Sequence, residues 1–410
     1  MHDDKTDALP RGLELTSLSP LFRDDPYAIL NRLRDEAPVL EDAQLRDHVV
    51  FPATLVQHVL SDPKLLVDPR SMAPTSTRMM RGEDLTVETS LLHADGARHK
   101  RLRSLMLKAF TNRRLEAFRG RTREICNALF DAVEAEDEFD FVKHIARPMP
   151  TIVITELLGI DESKHDDFKV WSDRIIADKL NPIADEETRI AGAAAMTAVE
   201  DTVTGEVMRR LETGERPDDL ISGMMDAETS DGQRFSVYEI SQHAQLLLIA
   251  GNQTTTDVMG TLVKNLTTRN DSYRQIVAEP ALIPKAIEES LRFEPPIFST
   301  ERITAEEYRI KDATVPKGHV IAAMLTAANH DPILNERPDD FDIRRSQIRH
   351  FAFGGGVHRC IGAPLAKLEC EVLLETMVAR FPNLSAADRP HAYDPNPGFR
   401  GLDTFWLRKN

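Results

Sequence analysis

Phe353-Gly354-Gly355-Gly356-Val357-His358-Arg359-Cys360-Ile361-Gly362 crowds four glycines and one cysteine into ten residues. Such a cluster lets the backbone take positive φ and approach a flat ligand closely. A helical run follows, Ala363 to Arg380, with Leu365, Leu368, Val372 and Thr376 near one face. Cys360 therefore stands at a helix N-terminus, where the partial positive charge and unpaired amides favour thiolate over thiol. The other two cysteines, Cys126 and Cys370, lack this setting and read as buried, inert thiols. Three cysteines without close pairing argue against a disulfide framework and cannot build a four-cysteine iron–sulfur cluster.

The rest of the chain reads mostly as helix. Segments near 26–36, 53–60, 97–110, 112–134 and 188–212 place apolar residues at helical spacing, with charged opposite faces. The longest run, about 236 to 266, opens on Ser236 and Glu239, a capping-box pair. At 1.5 Å per residue it would be roughly 45 Å long, enough to cross a domain. Within it, Ala250-Gly251-Asn252-Gln253-Thr254-Thr255-Thr256 is poor helix-forming sequence and is expected to interrupt or bend the helix. A short strand is expected near His48 to Phe51. Tyr308 to Lys311 and His319 to Met324 suggest a hairpin about the turn Val315-Pro316-Lys317-Gly318. Residues 329–350 read as an ordered meander. The fold class is mainly α with small β-sheets. No linker or repeat divides the 410 residues, so one domain over 1–410 is expected, with 1–20 a flexible N-terminal segment.

Acidic residues outnumber basic ones, 67 to 51, for a formal charge of −16. That balance disfavours nucleic acid and anionic membranes as partners. No apolar stretch is long enough for a signal peptide or a membrane span, so a cytoplasmic protein is expected.

Phe353, Gly356, Cys360 and Gly362 together match the heme-binding signature of the cytochrome P450 family: Phe, two residues, Gly, three residues, Cys, one residue, Gly. His358, Leu365 and Ala366 also stand where bacterial members carry them, while Lys367 replaces the more usual Arg. The chain is thus similar to soluble bacterial-type P450s from about residue 20 to its end. The resemblance implies the P450 fold, with heme b held between the long central helix and the cysteine-loop helix. It implies Cys360 thiolate as the metal ligand, with Phe353, Gly354, Gly362 and Ala366 around the cofactor. A thiolate suits that task, pushing electron density toward bound oxygen.

Other stretches fit the same resemblance. Glu289 and Arg292 share a helix face in 284–293. Alone they would be a surface ion pair of little worth; followed by Pro295-Pro296 and Arg302, they resemble the family's structural pair, expected to meet the meander near Arg337 or Asp340. Heme propionates need cationic partners, and His99, Arg103, Arg302 and His358 are the candidates. The run from Ala250 resembles the family's oxygen-binding groove. Ala250 and Gly251 would leave room over the iron, and Thr254 would hydrogen-bond the oxygen species or a water. Gln253 departs from the family's acid, and an amide cannot titrate; it could still orient water.

No dinucleotide fingerprint or fused redox domain is present, so electrons are expected from a separate ferredoxin and its reductase. Arg98, Lys100, Arg101, Lys108, Arg113, Arg114, Arg359 and Lys367 would form a basic docking patch. Leu246, Ile249, Ala250 and Phe298, with residues 70–92 and the region of Phe399, are the candidate substrate contacts. They favour a small hydrophobic organic substrate, with Arg70, Ser71, Thr75 and Ser76 available for polar capture or simply loop residues. A monomeric monooxygenase is the leading reading. Peroxide-driven oxidation, nitric-oxide reduction and a non-catalytic heme sensor are the alternatives.

Overall fold

A computed structural model of the chain describes residues 9–80, 90–179 and 184–410. The helices that position the site are α1 (Pro26–Glu36), α2 (Ala53–Ser61), α3 (Gly96–Ala109), α4 (Asn112–Asp131), α5 (Pro148–Leu158), α6 (His165–Lys179), α7 (Glu186–Thr213), α8 (Val237–Thr268), α9 (Ile283–Phe293) and α10 (Ala363–Arg380). The strands are β1 (Val39–Asp42), β2 (Asp47–Val50), β3 (Leu65–Leu66), β4 (Glu138–Asp140), β5 (Ser299–Thr304), β6 (Tyr308–Ile310), β7 (Ala313–Val315), β8 (Val320–Met324), β9 (Ser385–Ala386), β10 (Ala392–Tyr393), β11 (Leu402–Thr404) and β12 (Trp406–Arg408). The fold is mainly α with small sheets, as the periodicity indicates.

Helix α8 is the axis. Its N-terminus is capped reciprocally: Ser236 Oγ accepts from the Glu239 amide, and Glu239 Oε2 accepts from the Ser236 amide. From Thr255 to Leu266 every residue is buried, because α5, α7, α9 and α10 all pack on it. The 250–256 stretch does not break the helix, contrary to the expectation from its composition. Thr254 Oγ1 donates back to the Ala250 carbonyl at 2.7 Å, and Thr256 Oγ1 reaches across to the Ala146 carbonyl at 3.1 Å. The threonine hydroxyls are satisfied without giving up helical backbone. Among the described residues no helix is long and apolar enough to cross a membrane.

The principal sheet has the order β1-β2-β8-β5-β3. β8 pairs in parallel with β2 and antiparallel with β5. The hairpin expected between Tyr308–Lys311 and His319–Met324 is therefore not formed. Tyr308 instead faces Val315 in a tight β6–β7 hairpin, turning where Lys311 takes φ 51°. All five residues of β8 are buried, and a strand apolar on both faces belongs in a sheet interior rather than in a surface hairpin.

Of the segment 1–20 expected to be flexible, the described residues from Leu9 onward include a packed stretch. Leu15, Thr16 and Ser17 are fully buried, and Ser17 Oγ donates to the Phe399 carbonyl. Phe298, read as a substrate contact, belongs to this N-terminal core. Its ring is buried against Phe22, with centroids 5.1 Å apart. The side chain is committed to that core, and the substrate reading of Phe298 is withdrawn.

Candidate active site

The Cys360 loop is held by its own backbone. The Cys360 amide donates to the Phe353 carbonyl at 2.9 Å, and Gly354 and Gly356 take φ +65° and +62°. At Gly356 a Cβ would fall 2.2 Å from the Leu60 carbonyl oxygen, so no larger residue fits there. At Gly354 and Gly251 a Cβ would meet nothing within 4 Å, leaving both backbones open to a flat group. Cys360 is exposed, while Cys126 and Cys370 are buried. Burial on the protein side pushes the Cys360 thiol up. The amides of Gly362 and Ala363 and the charges of Arg103 and Arg359 oppose this without reversing it. The helix N-terminus alone thus does not make the thiolate, and coordination to a metal cation would supply the missing stabilisation.

Around the loop lies a cluster of arginine and histidine side chains. Arg103, on α3, donates to the Arg359 carbonyl at 2.8 Å. The rings of His99 and His358 are 4.2 Å apart. His99 Nε2 is buried without a hydrogen-bond partner among the described residues, and burial, with His358 and Arg103 nearby, lowers this imidazole to about 4. Asp95, just ahead of α3, organises the group. Its Oδ1 lies 3.6 Å from His358 Nε2, and its Oδ2 accepts the amides of Val67 and Asp68. Burial would raise this carboxyl, but His358 and the two amides hold it below the usual range. Arg302 is buried on β5, where Nη1 donates to the Glu301 carbonyl, and it feels the Asp95 charge. The four residues chosen as propionate partners therefore share one neighbourhood. Asp95 was missed; the only sequence signal is an acid immediately before a helix start.

Along α8, Leu246, Ile249, Ala250, Gln253 and Thr254 retain exposure while their neighbours Leu247, Leu248, Asn252 and Thr255 are buried. The spacing traces one helix face. Gln253 does not extend toward solvent; its Nε2 donates to Asp257 Oδ1 at 2.8 Å. Ala366 and Phe353 are partly buried, and Gly362 sits where a Cβ would be 3.8 Å from Cys360 Sγ.

Glu289 and Arg292 are fully buried and joined by two bonds, 2.8 and 2.9 Å. Arg292 also donates to the carbonyls of Asn329, Pro338 and Asp340. The meander is met as expected, except that Arg345 rather than Arg337 reaches Glu289, at 3.3 Å. Arg337 is exposed and pairs with Asp340 and Asp342.

Two groups of candidates change character. Arg70 is bound to Asp68 at 2.8 and 2.9 Å, Thr75 meets His319, and Ser76 is buried, so these act as loop residues. Within the 70–92 substrate candidates, residues 81–89 lie outside the described residues. The basic patch is partly neutralised, because Arg101, Arg114 and Lys367 pair with Glu239, Asp218 and Glu288. Lys108 donates to the Glu228 carbonyl.

Comparison with known proteins agrees with this geometry. The Cytochrome P450 family profile matches residues 48–399. Cytochrome P450 107B1 of Saccharopolyspora erythraea is 38% identical over 301 residues, covering 73% of this chain and 72% of that protein. The 6-deoxyerythronolide B hydroxylase of the same organism is 34% identical, covering 90% and 91%. The crystal structure of CYP109E1 from Bacillus megaterium with corticosterone superposes with a TM-score of 0.85 at 28% identity, covering 95% and 99%. The chain belongs to the cytochrome P450 family. It is a heme-dependent oxidoreductase of the monooxygenase type.

Proposed function

We propose that the chain binds heme b through Cys360 and hydroxylates a compact hydrophobic organic molecule, with electrons from a separate ferredoxin and its reductase in the cytoplasm. The observation that carries the substrate class is the partly exposed α8 face, where the side chains of Leu246, Ile249 and Ala250 are apolar beside Thr254. A relative that hydroxylates 6-deoxyerythronolide B and a structural neighbour that holds corticosterone support a polycyclic or macrocyclic shape.

Heme, when bound, supplies dioxygen binding and its two-electron activation. The residues of the chain do the rest. Cys360 provides the anionic ligand, with the amides of Gly362 and Ala363 directed at its sulfur. Arg103, His99, His358 and Arg302 would hold the propionates, with Asp95 keeping His358 in register and its charge acting on Arg302. Ala250 and Gly251 would leave room for the cofactor beside α8. Thr254, whose hydroxyl can both donate and accept, would hydrogen-bond the oxygen to be activated or a water beside it. Glu289 and Arg292 hold the meander that carries the chain into the cysteine loop.

A screen of steroids and macrolide aglycones for shifts of the heme Soret band tests the substrate class. Hits are then turned over with reductase, ferredoxin and labelled dioxygen. Incorporation of one labelled atom into a hydroxylated product is expected. Turnover with peroxide alone, and none with ferredoxin, would replace this reading by the peroxide-driven one.

A further inference from the structure

The residue before Thr254 is an amide, so the acid expected beside that threonine must stand elsewhere or be absent. Gln253 points to it. Its Nε2 donates to Asp257 Oδ1 at 2.8 Å, one helical turn further along α8. Asp257 is 1% exposed, and its Oδ2 has no hydrogen-bond partner among the described residues. The carboxyl is pressed against the chain at Gly401, where a Cβ would land 1.8 Å from Oδ1. The Gly401 carbonyl accepts the amide of Asp394 at 2.9 Å, which fixes a second, half-buried acid beside the first. Beyond it lie Asp403 and Arg147, an exposed pair at 3.3 Å. Three acids therefore step from the helix interior to the surface.

A carboxylate buried without a cation in contact is strongly disfavoured, and such a group keeps its proton. Burial raises Asp257 well above the carboxylate range and the charge of Asp394 adds to this. The bond from Gln253 and the more distant Arg147 offset only part. Asp394 is raised by its own burial and by Asp403.

We propose that Asp257 is the proton-supplying residue of this P450, acting through Gln253 and Thr254 and refilled from solvent by way of Asp394. The inference rests on the reading of Ala250 to Thr256 as the oxygen-handling stretch. Gln253 commits its amide nitrogen to Asp257, which leaves its Oε1 to accept from a donor on the Thr254 side. Asp257 gives its carboxyl proton to a bridging water, which passes one to the Thr254 hydroxyl as that hydroxyl turns from the Ala250 carbonyl and donates its own to the oxygen being reduced. The Asp257 carboxylate then takes a proton from Asp394, and Asp394 takes one from solvent. One solvent proton is consumed for each proton delivered.

Two measurements on the holoenzyme test this. The first is the infrared carbonyl stretch of a protonated, buried carboxyl at neutral pH, in wild type and in Asp257→Asn. Buried Glu369 is also held protonated and contributes equally to both proteins, so the readout is the wild-type-minus-variant difference, in which one carboxyl band is expected. A difference spectrum without that band overturns the proposal, because Asp257 would then be ionised. The second uses ethoxycoumarin dealkylation as the probe, driven either by ferredoxin and dioxygen or by hydrogen peroxide. Peroxide brings oxygen already reduced and protonated. Asp257→Asn is expected to slow the dioxygen route about a hundredfold and the peroxide route far less, and Gln253→Glu in that background should restore much of the loss. An equal fall in both routes overturns the proposal in favour of a structural role. Wild type inactive by either route would instead overturn the monooxygenase reading, with the infrared band still deciding the state of Asp257.

Discussion

Arg103 on α3 donates to the carbonyl of Arg359, the residue immediately before Cys360, at 2.8 Å. The helix that carries His99 is thereby bonded to the loop that carries the thiol. On the proposed function this guanidinium would serve a propionate as well as the loop, and hydrogen bonds from a charged donor are worth about 1.5–3 kcal/mol. Arg103→Ala is expected to speed heme loss about tenfold or more, since 1.4 kcal/mol is a factor of ten. Arg103→Lys should fall between, because a point charge replaces a planar fork. The measurement is heme transfer to excess apomyoglobin. An unchanged transfer rate in Arg103→Ala would show that the propionate is held without it.

The three cysteines should be distinguishable without any turnover. Cys126 is pushed up to about 11 by burial, and Cys370 is pushed up further by burial and by Glu369 and Glu371. Cys360 is the exposed one. Mass analysis after brief iodoacetamide treatment of the apoprotein should find Cys360 alkylated and the other two intact. In the holoenzyme, Cys360→His should abolish the red-shifted Soret band of the reduced carbon-monoxide complex. Cys126→Ser and Cys370→Ser should keep it. Loss of the band in either serine variant would overturn the ligand assignment.

What could be read from the sequence was what local chemistry determines. Helix α10 runs from Ala363 to Arg380 as its apolar spacing indicates, and the Ser236–Glu239 capping box forms as written. These depend on residues within one or two turns of each other. The misread features depend on partners far away in the chain. Phe298 looks like a pocket residue until Phe22, 276 positions earlier, covers it (298 − 22). β8 looks like half of a hairpin until β2 and β5 take both its edges. Asp257 lay within reach, four residues after Gln253 and so on the same helix face. Its burial against Gly401 did not, since that contact spans α8 and the C-terminal strands.

Glu289 is the anion of a buried cluster with Arg292 and Arg345. It also accepts the Asp342 amide at 2.9 Å. Removing one member of such a cluster leaves the others charged and unpaired inside the protein, which costs about 3–5 kcal/mol. Glu289→Ala should therefore lower the urea midpoint strongly and release heme at lower denaturant. Arg292→Lys should do nearly as much, because one ammonium cannot serve Glu289 together with the carbonyls of Asn329, Pro338 and Asp340. Near-wild-type stability in Arg292→Lys would mean that the meander is held by packing instead.

Glu288, next to that cluster, gives a dependence on pH whose sign is determined. Its carboxylate accepts from His350 Nε2 at 3.0 Å and pairs with Lys367, the residue that replaces the family's arginine. Burial pushes this carboxyl up, but the bonds and charges of His350 and Lys367 outweigh it and bring it down to about 2. The folded value thus lies below the unfolded value, about 4.3 for a free glutamate. A group depressed on folding contributes stability above its unfolded value and loses it as the pH falls toward the folded value. With the side chain one third exposed, solvent screening reduces the contribution to about 1–2 kcal/mol. Urea unfolding of wild type and Glu288→Gln should differ by about that amount near pH 6 and converge as the pH falls from about 4 toward about 2. A double variant, Glu288→Gln with Lys367→Met, should recover part of the loss near pH 6, because the stranded ammonium is removed along with its partner. A gap between wild type and Glu288→Gln that stays constant across that pH range would show that the carboxylate's charge contributes nothing and that its shape alone matters.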